Sequence, residues 1–303
     1  MPTISVPQSL LRTLLSNHGI VHDVETMGDQ LPLMGTDIDT CNEATLDIEI
    51  FPDRPDLLSG ETLAYAIRPF LHGAPAIPEI ETKPSGITMH VEPSLATIRP
   101  IVMGAVVKGV VLTDDAEEQE AFIKALMDHQ EKLHFALGRG RKRASIGVHD
   151  LNSIKPPFNV IAAPGSHSFI PLGEEVPMDM TTILTQHPKG VDYAHLLDGM
   201  NAYPLILDSN EDVLSFPPII NGNHTTVTTT TRDFFIDVTG WDQRACEASL
   251  MLICLQLQER GGKIETVEVT TCDREVITTP NGTGKSHLVP EELVTGLLGR
   301  HFS

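Results

Sequence analysis

The apolar and polar positions alternate most clearly over Phe234–Thr239. With a period of two, Phe234, Ile236 and Val238 share one face of a strand, and Phe235, Asp237 and Thr239 share the other. One face is wholly apolar; the other sets a ring, a carboxylate and a hydroxyl in a row. Upstream, Pro204-Leu205-Ile206-Leu207 is a short apolar run stopped by Asp208-Ser209-Asn210, which predicts a buried strand and a reversal. Val213–Phe216 follows as a second apolar run. Pro217-Pro218 cannot donate ladder hydrogen bonds and belongs on a sheet edge or at the rim of a cavity. The polar row fits either a solvated sheet surface or a small-molecule pocket with an apolar wall and a few convergent polar groups.

The rest of the chain divides into units. Residues 1–75 read as a small α+β domain. Gln8–Leu15 has a helical stripe of Leu10, Leu11, Leu14 and Leu15, and Ala44–Phe51 alternates with Leu46, Ile48 and Ile50 inward. Ser59 caps a helix running to about Arg68, and Arg54, set between Pro52 and Pro55, reads as a structural salt-bridge partner. A Pro-rich connector, Gly73–Pro84, marks the boundary to a domain over 76–275. There, strands are predicted at Met89–Val91, Ile101–Val111 and Lys263–Thr271. Helices are predicted at Glu117–Leu137 and Trp241–Gln258. His187–Gly190 reads as a turn, with Lys189 facing solvent or a phosphate. His149 beside Asp150 reads either as a turn histidine next to an acid or as an acid/base pair.

Composition narrows the function. With 21 Lys and Arg against 41 Asp and Glu the net charge is -20, which repels polyanions in bulk and excludes a generic nucleic-acid coat. The basic residues are nevertheless concentrated at Arg139, Arg141, Lys142 and Arg143, at a predicted helix end, where they complement the helix dipole or meet RNA phosphates. Cys41, Cys246, Cys254 and Cys272 lack the spacing of a metal or redox site, so no metal is expected and reduced thiols of a cytoplasmic protein are. Gly282–Ser286 imitates a phosphate-binding loop, but the first glycine of that motif falls on Thr279. No serine sits in a nucleophile elbow.

SFPPIIN (215–221) followed by FFIDVTG (234–240) resembles the editing domain of the archaeal and eukaryotic phenylalanyl-tRNA synthetase beta chain. FPDRPDLLSGETLAYAIRPFLHG (51–73), with Asp53 where the family has Asn, RKRASIGVHDL (141–151) and HPKGVDYAHLL (187–197) extend the likeness from Pro52 to Gly240. The resemblance implies an α+β chain in which the small N-terminal domain precedes a larger mixed α/β editing domain. Leu288–Gly299 is similar to the start of the next domain, so 276–303 is expected to open a domain left incomplete, in a fragment or a truncated gene product.

The implied chemistry is hydrolysis of tyrosine mischarged on tRNA(Phe). Asp237 and Thr239 would meet the phenol, or Asp237 the ammonium. Leu205, Leu207 and Phe216 would form the apolar wall. Ser215 and Asn221 would orient the ester or a water, and His224 would orient that water. Arg139, Arg141, Lys142 and Arg143 would hold the acceptor end of tRNA(Phe). Editing needs no cofactor in this reading; ATP and Mg2+ belong to the complete ligase, outside this stretch, as does most of the contact with the alpha subunit. The alternatives left open are a non-catalytic tRNA-binding or assembly module and an inactive beta-chain fragment.

Overall fold

The alternation of Thr45–Ile50 carries through to the computed structural model, which describes residues 2–74, 80–284 and 287–301. β1 (Thr3–Pro7), β2 (Thr36–Cys41) and β3 (Thr45–Ile50) form an antiparallel sheet in the order β1-β3-β2. Leu46, Ile48 and Ile50 turn inward from the central strand. They meet Leu11, Leu14 and Leu15 of α1 (Gln8–Ser16), while Met27 of α2 (Val24–Gln30) closes the same core. Ser59 caps α3 (Gly60–His72), its hydroxyl accepting from the Thr62 amide. The helix passes Pro69 and ends at Gly73, whose left-handed φ of 61° suits a residue without a side chain. Arg54 pairs with Asp56 and reaches the Met34 carbonyl, the structural role its Pro-bounded turn predicts.

The second unit is built on a ten-stranded mixed sheet among the described residues. Its strands are β4 (Lys83–Val91), β5 (Ile101–Lys108), β6 (Ala144–Asp150), β7 (Phe158–Ala163), β10 (Tyr203–Leu207), β11 (Val213–Phe216), β12 (Ile220–Asn221), β13 (Phe234–Gly240), β14 (Lys263–Thr270) and β15 (Val276–Thr279). The path runs β12-β11-β10-β7-β4-β14-β5-β13-β6, with β15 beside the second half of β14. β8 (Ser168–Phe169) and β9 (Met178–Asp179) form a separate ribbon. β15 corrects the boundary expected at 275: Val276–Thr279 pairs with Thr270–Val267, so the sheet runs past it.

Three apolar clusters fix the layers. Ile236 and Val238 turn to one face of β13, against α4 (Ala116–Ala136) and α7 (Gln243–Glu259), and that cluster is continuous with the N-terminal core. Phe235 turns to the other face, among Met89, Phe158, Ile206 and Val267. Leu205, Leu207 and Phe216 pack against α5 (Met180–Gln186) through Met180 and Ile183.

The N-terminal unit is held to α7 by buried charge. Arg68 makes two hydrogen bonds to Glu259, at 2.5 and 3.0 Å, and Arg260 donates to Glu61 at 2.8 Å. Gln256 bridges Glu61 to His129 of α4. No helix among the described residues is long and apolar enough to cross a membrane.

The predicted turn at His187–Gly190 is instead the start of α6 (Pro188–Tyr193). Pro188 takes the first helical position, where its missing N–H is no loss, and the His187 ring accepts from the Lys189 amide. α8 (Glu291–Leu298) buries none of its side chains. The phosphate-loop imitation reaches Lys285 and Ser286, outside the described residues.

Candidate functional site

The two ends of the sheet path, β12 and β6, come together at one place. Arg141 donates to the carbonyls of Pro218 (3.1 Å) and Ile219 (2.9 Å), and Asn221 Nδ2 lies 3.4 Å from the Val148 carbonyl. Between these ends, under α4, is a cavity of about 420 Å³, within the size range of small-molecule pockets. Its wall is largely apolar, with Ile123, Met127, Val148, Phe216, Pro217 and Ile219. Pro217-Pro218 therefore sits at a cavity rim.

Asp237 borders this space although its strand lies one position in from the edge. In register it faces Gly104 on β5 and Gly147 on β6. A Cβ on Gly147 would stand 2.1 Å from Asp237 Oδ2 and 2.7 Å from His149 Nε2, so only glycine leaves room for the carboxylate. Oδ2 pairs with His149 Nε2 at 2.7 Å, and His149 Nδ1 lies 2.8 Å from Thr225 Oγ1. Both members of the pair are buried.

Ser215 also borders the cavity; it is 3% exposed and its hydroxyl has no hydrogen-bond partner. At the mouth, Glu131 accepts from Arg141 at 2.6 Å, with Lys189 at 3.8 Å and His134 at 3.5 Å. Burial opposes ionisation of Glu131, but His134, Arg141 and Lys189 outweigh it and hold the carboxyl at about 2.

Of the residues singled out in the sequence, Ser215, Phe216, Asn221, Asp237 and Arg141 meet at the cavity. Thr239 does not line it. Its hydroxyl accepts from Arg99 Nε at 2.7 Å and sits 3.1 Å from Ser145 Oγ. Arg99 is fully buried, and burial lowers its guanidinium to about 10. It further donates to the carbonyls of Arg141 and Thr239.

Leu205 and Leu207 lie behind the wall, backing Phe216 in the core rather than facing the space. His224 is exposed on the loop after β12 and does not border the cavity. Within the basic cluster Arg139, Lys142 and Arg143 are exposed, whereas Arg141 is buried over the Tyr193 ring at 4.3 Å and serves as wall. His149 is not a turn histidine: it lies inside β6, and its acid partner is Asp237, while Asp150 accepts from Thr231.

Residues 111–269 match the B3/4 domain family. The chain belongs to that family. Over its whole length it is 43% identical to the phenylalanine–tRNA ligase beta subunit of Methanosarcina barkeri, covering 54% of that protein. It is 41% identical over 281 residues to the beta subunit of Archaeoglobus fulgidus, covering 93% of this chain and 50% of that one. The crystal structure of an N-terminal fragment of the phenylalanyl-tRNA synthetase beta-subunit from Pyrococcus horikoshii superposes with a TM-score of 0.89 at 34% identity, covering all of this chain and 86% of that one. The chain spans about half the length of the curated relatives it matches. The likeness read from SFPPIIN and FFIDVTG is borne out: the chain is a B3/4 family member similar to archaeal phenylalanine–tRNA ligase beta subunits and to an N-terminal fragment of one of them.

Ser145 and Gly147 escaped the sequence reading of the site, and His149 was set there against Asp150 rather than Asp237. Ser145, Gly147 and His149 share one face of β6 by the same alternation that marks β13, so ASIGVHD carried that signal. Arg99 and Thr225 are joined to the site only by long-range pairing, whereas Glu131 and His134 stand one turn apart on α4, a local spacing that the sequence reading passed over. No cluster of three or more His, Cys, Asp or Glu suited to a metal occurs among the described residues.

Proposed function

We propose that the cavity is a proofreading site, in the beta subunit of a phenylalanine–tRNA ligase, that hydrolyses tyrosine esterified to tRNA(Phe). The observation that carries this reading is a carboxylate, Asp237, set at the border of a largely apolar cavity of about 420 Å³. A tyrosyl phenol donates to that carboxylate. A phenylalanyl ring offers nothing and leaves a buried acceptor unpaired, a penalty of about 1–3 kcal/mol, or roughly tenfold to more than a hundredfold in selectivity.

Ser215, whose hydroxyl has no partner of its own, and Asn221 orient the ester carbonyl or the attacking water. The ester is already activated, so positioning supplies much of the rate, assisted by a terminal ribose hydroxyl of the tRNA. Arg139, Lys142 and Arg143 meet acceptor-end phosphates. The hydrolysis calls on no metal or cofactor, and ATP, Mg2+ and the alpha subunit serve the complete ligase.

The test is deacylation of Tyr-tRNA(Phe) beside Phe-tRNA(Phe). The protein cleaves the first and spares the second, and Asp237→Ala removes the difference. Retention of tRNA with no cleavage above buffer would reduce the chain to a binding or assembly module.

A further inference from the structure

β6 and β13 face each other in one antiparallel register, with Phe235 opposite His149, Asp237 opposite Gly147 and Thr239 opposite Ser145. These pairs share one face of the sheet, and Asp237, Gly147 and Ser145 border the cavity. Gly240 opposite Ala144 ends the paired strands, and Trp241 and Arg143 come next in the same register. There the Trp241 amide donates to the Arg143 carbonyl at 2.9 Å, so the two backbones are still joined. Four residues of extended chain put Trp241 about 13 Å from Asp237, near enough for one RNA strand to engage both.

At this end the row leaves the core. Trp241, the sole tryptophan of the chain, is 48% exposed. Single apolar side chains on a surface are ordinary and call for no partner, but three observations set this one apart. Its backbone is held: the Arg143 carbonyl accepts from the amides of Trp241 and Asp242, and the Arg143 amide donates to the Gly138 carbonyl at 2.7 Å. Its neighbours Lys142 and Arg143 are exposed cations, part of the densest basic run in a chain of net charge -20. Asp242 approaches the Arg143 guanidinium only to 3.8 Å, too far for a hydrogen bond, and leaves that side chain 52% exposed.

We propose that Trp241 is a stacking platform for an unpaired base of a bound RNA strand, with the phosphates of that strand on Lys142 and Arg143. An aromatic face beside cations suits single-stranded RNA, because every base has a face to stack and the cations neutralise its backbone. The balance of charge elsewhere is negative and confines the strand to this strip. The proposal rests on the proofreading reading only for the choice of RNA as partner, and binding measured without any ester tests it separately.

The test is Trp241 fluorescence in the whole chain, where no other tryptophan contributes. A short oligocytidylate and uncharged tRNA(Phe) quench it saturably. Blunt duplex RNA and inorganic polyphosphate, which offer phosphates without an open base, do not. Anisotropy of labelled oligocytidylate shows Trp241→Ala binding about fivefold to a hundredfold more weakly, with part of the loss recovered in Trp241→Phe and the salt dependence of both unchanged. The ring is half-exposed and its backbone bonds remain, so both variants fold, as circular dichroism checks; the quenching of the unaltered protein decides the matter in any case.

Unquenched fluorescence at saturating oligocytidylate overturns the proposal and leaves the ring to a protein neighbour. Equal quenching by polyphosphate, or parental affinity in Trp241→Ala, overturns it in favour of phosphate contact alone. A chain that is quenched by RNA yet leaves Tyr-tRNA(Phe) intact keeps the platform and loses the proofreading reading, whereas cleavage without quenching does the reverse.

Discussion

Replacing Arg141 by methionine separates two roles that one arginine in a basic run could have. In the structure its guanidinium reaches the carbonyls of Pro218 and Ile219 and the carboxylate of Glu131, and it stacks over Tyr193. Methionine keeps the length and loses every donor. Two carbonyls then lose a charged donor, at about 1.5–3 kcal/mol each, with the lower half of that range applying because both residues line the cavity rather than the closed core. The Glu131 bond adds no more than about 1 kcal/mol, since that carboxylate is half-exposed and screened.

The sum is about 3–5 kcal/mol, a large part of the roughly 5–15 kcal/mol that stabilises a typical domain. Urea unfolding followed by Trp241 fluorescence should show a lower midpoint at unchanged slope. The affinity for tRNA(Phe) of the folded fraction should keep its salt dependence, whereas Lys142→Gln with Arg143→Gln should flatten it by about one unit per lost phosphate contact. If Arg141→Met melts within about 0.5 kcal/mol of the parent and flattens the salt dependence instead, Arg141 is a phosphate ligand and the account of the sheet ends is wrong.

Two further outcomes follow from the same geometry. Gly147→Ala drives a methyl group to 2.1 Å from Asp237 Oδ2; overpacking with a broken buried pair costs about 3–5 kcal/mol, and Tyr-tRNA(Phe) deacylation falls to that of Asp237→Ala, while retention of Tyr selectivity would refute the steric argument. His129 is fully buried and burial lowers its pKa from 6.5 to about 4. The unfolded chain therefore takes up its proton first as pH falls below 6.5, and stability is lost between pH 6.5 and 4, by about 3 kcal/mol at the acid end. His129→Gln should flatten that limb of the stability–pH curve, and an unchanged curve would rule His129 out as its source.

Local pattern sufficed wherever one element decides the outcome. The helices over Gln8–Ser16, Ala116–Ala136 and Gln243–Glu259 follow from their spacing, the last two with Asp115 and Asp242 as side-chain caps, and the two faces of β13 from its alternation. It failed where a partner comes from far along the chain. Asp237 and Thr239 stand side by side on the same face, yet only Asp237 meets the cavity. Arg99, 140 residues away, has claimed Thr239.

His149 was read against its sequence neighbour Asp150, although a strand sends adjacent side chains to opposite faces and pairs His149 across to β13. Pro188 and Gly190 carry turn chemistry in isolation, but a proline is also at home in the first position of a helix, and α6 uses it so. That β12 and β6, the two ends of a nine-stranded path, would meet was in no local signal at all.

That meeting explains why so few groups are available for chemistry. An edge strand presents unpaired amides and carbonyls, and an apolar cavity beside one would be filled by water or by another strand. Here the edge of β6 is covered by side chains. The Ile146 amide donates to His134 Nε2, the Ile146 carbonyl accepts from Gln130, and Asn221 faces the Val148 carbonyl. Arg141 does the same for the carbonyls of Pro218 and Ile219 across the gap. With these backbone groups satisfied, polar contact with a guest falls to side chains, among them Ser215, whose hydroxyl has no partner, and Asp237. A guest is then judged on two points: an apolar body that fills the space and a donor that reaches Asp237. A cavity with unsatisfied edge amides would bind any polar group and could not make that distinction. On the proposed proofreading reading, selectivity at this site depends on His134, Gln130, Asn221 and Arg141 as well as on the carboxylate itself, although none of the four would need to touch the atom that distinguishes one amino acid from another.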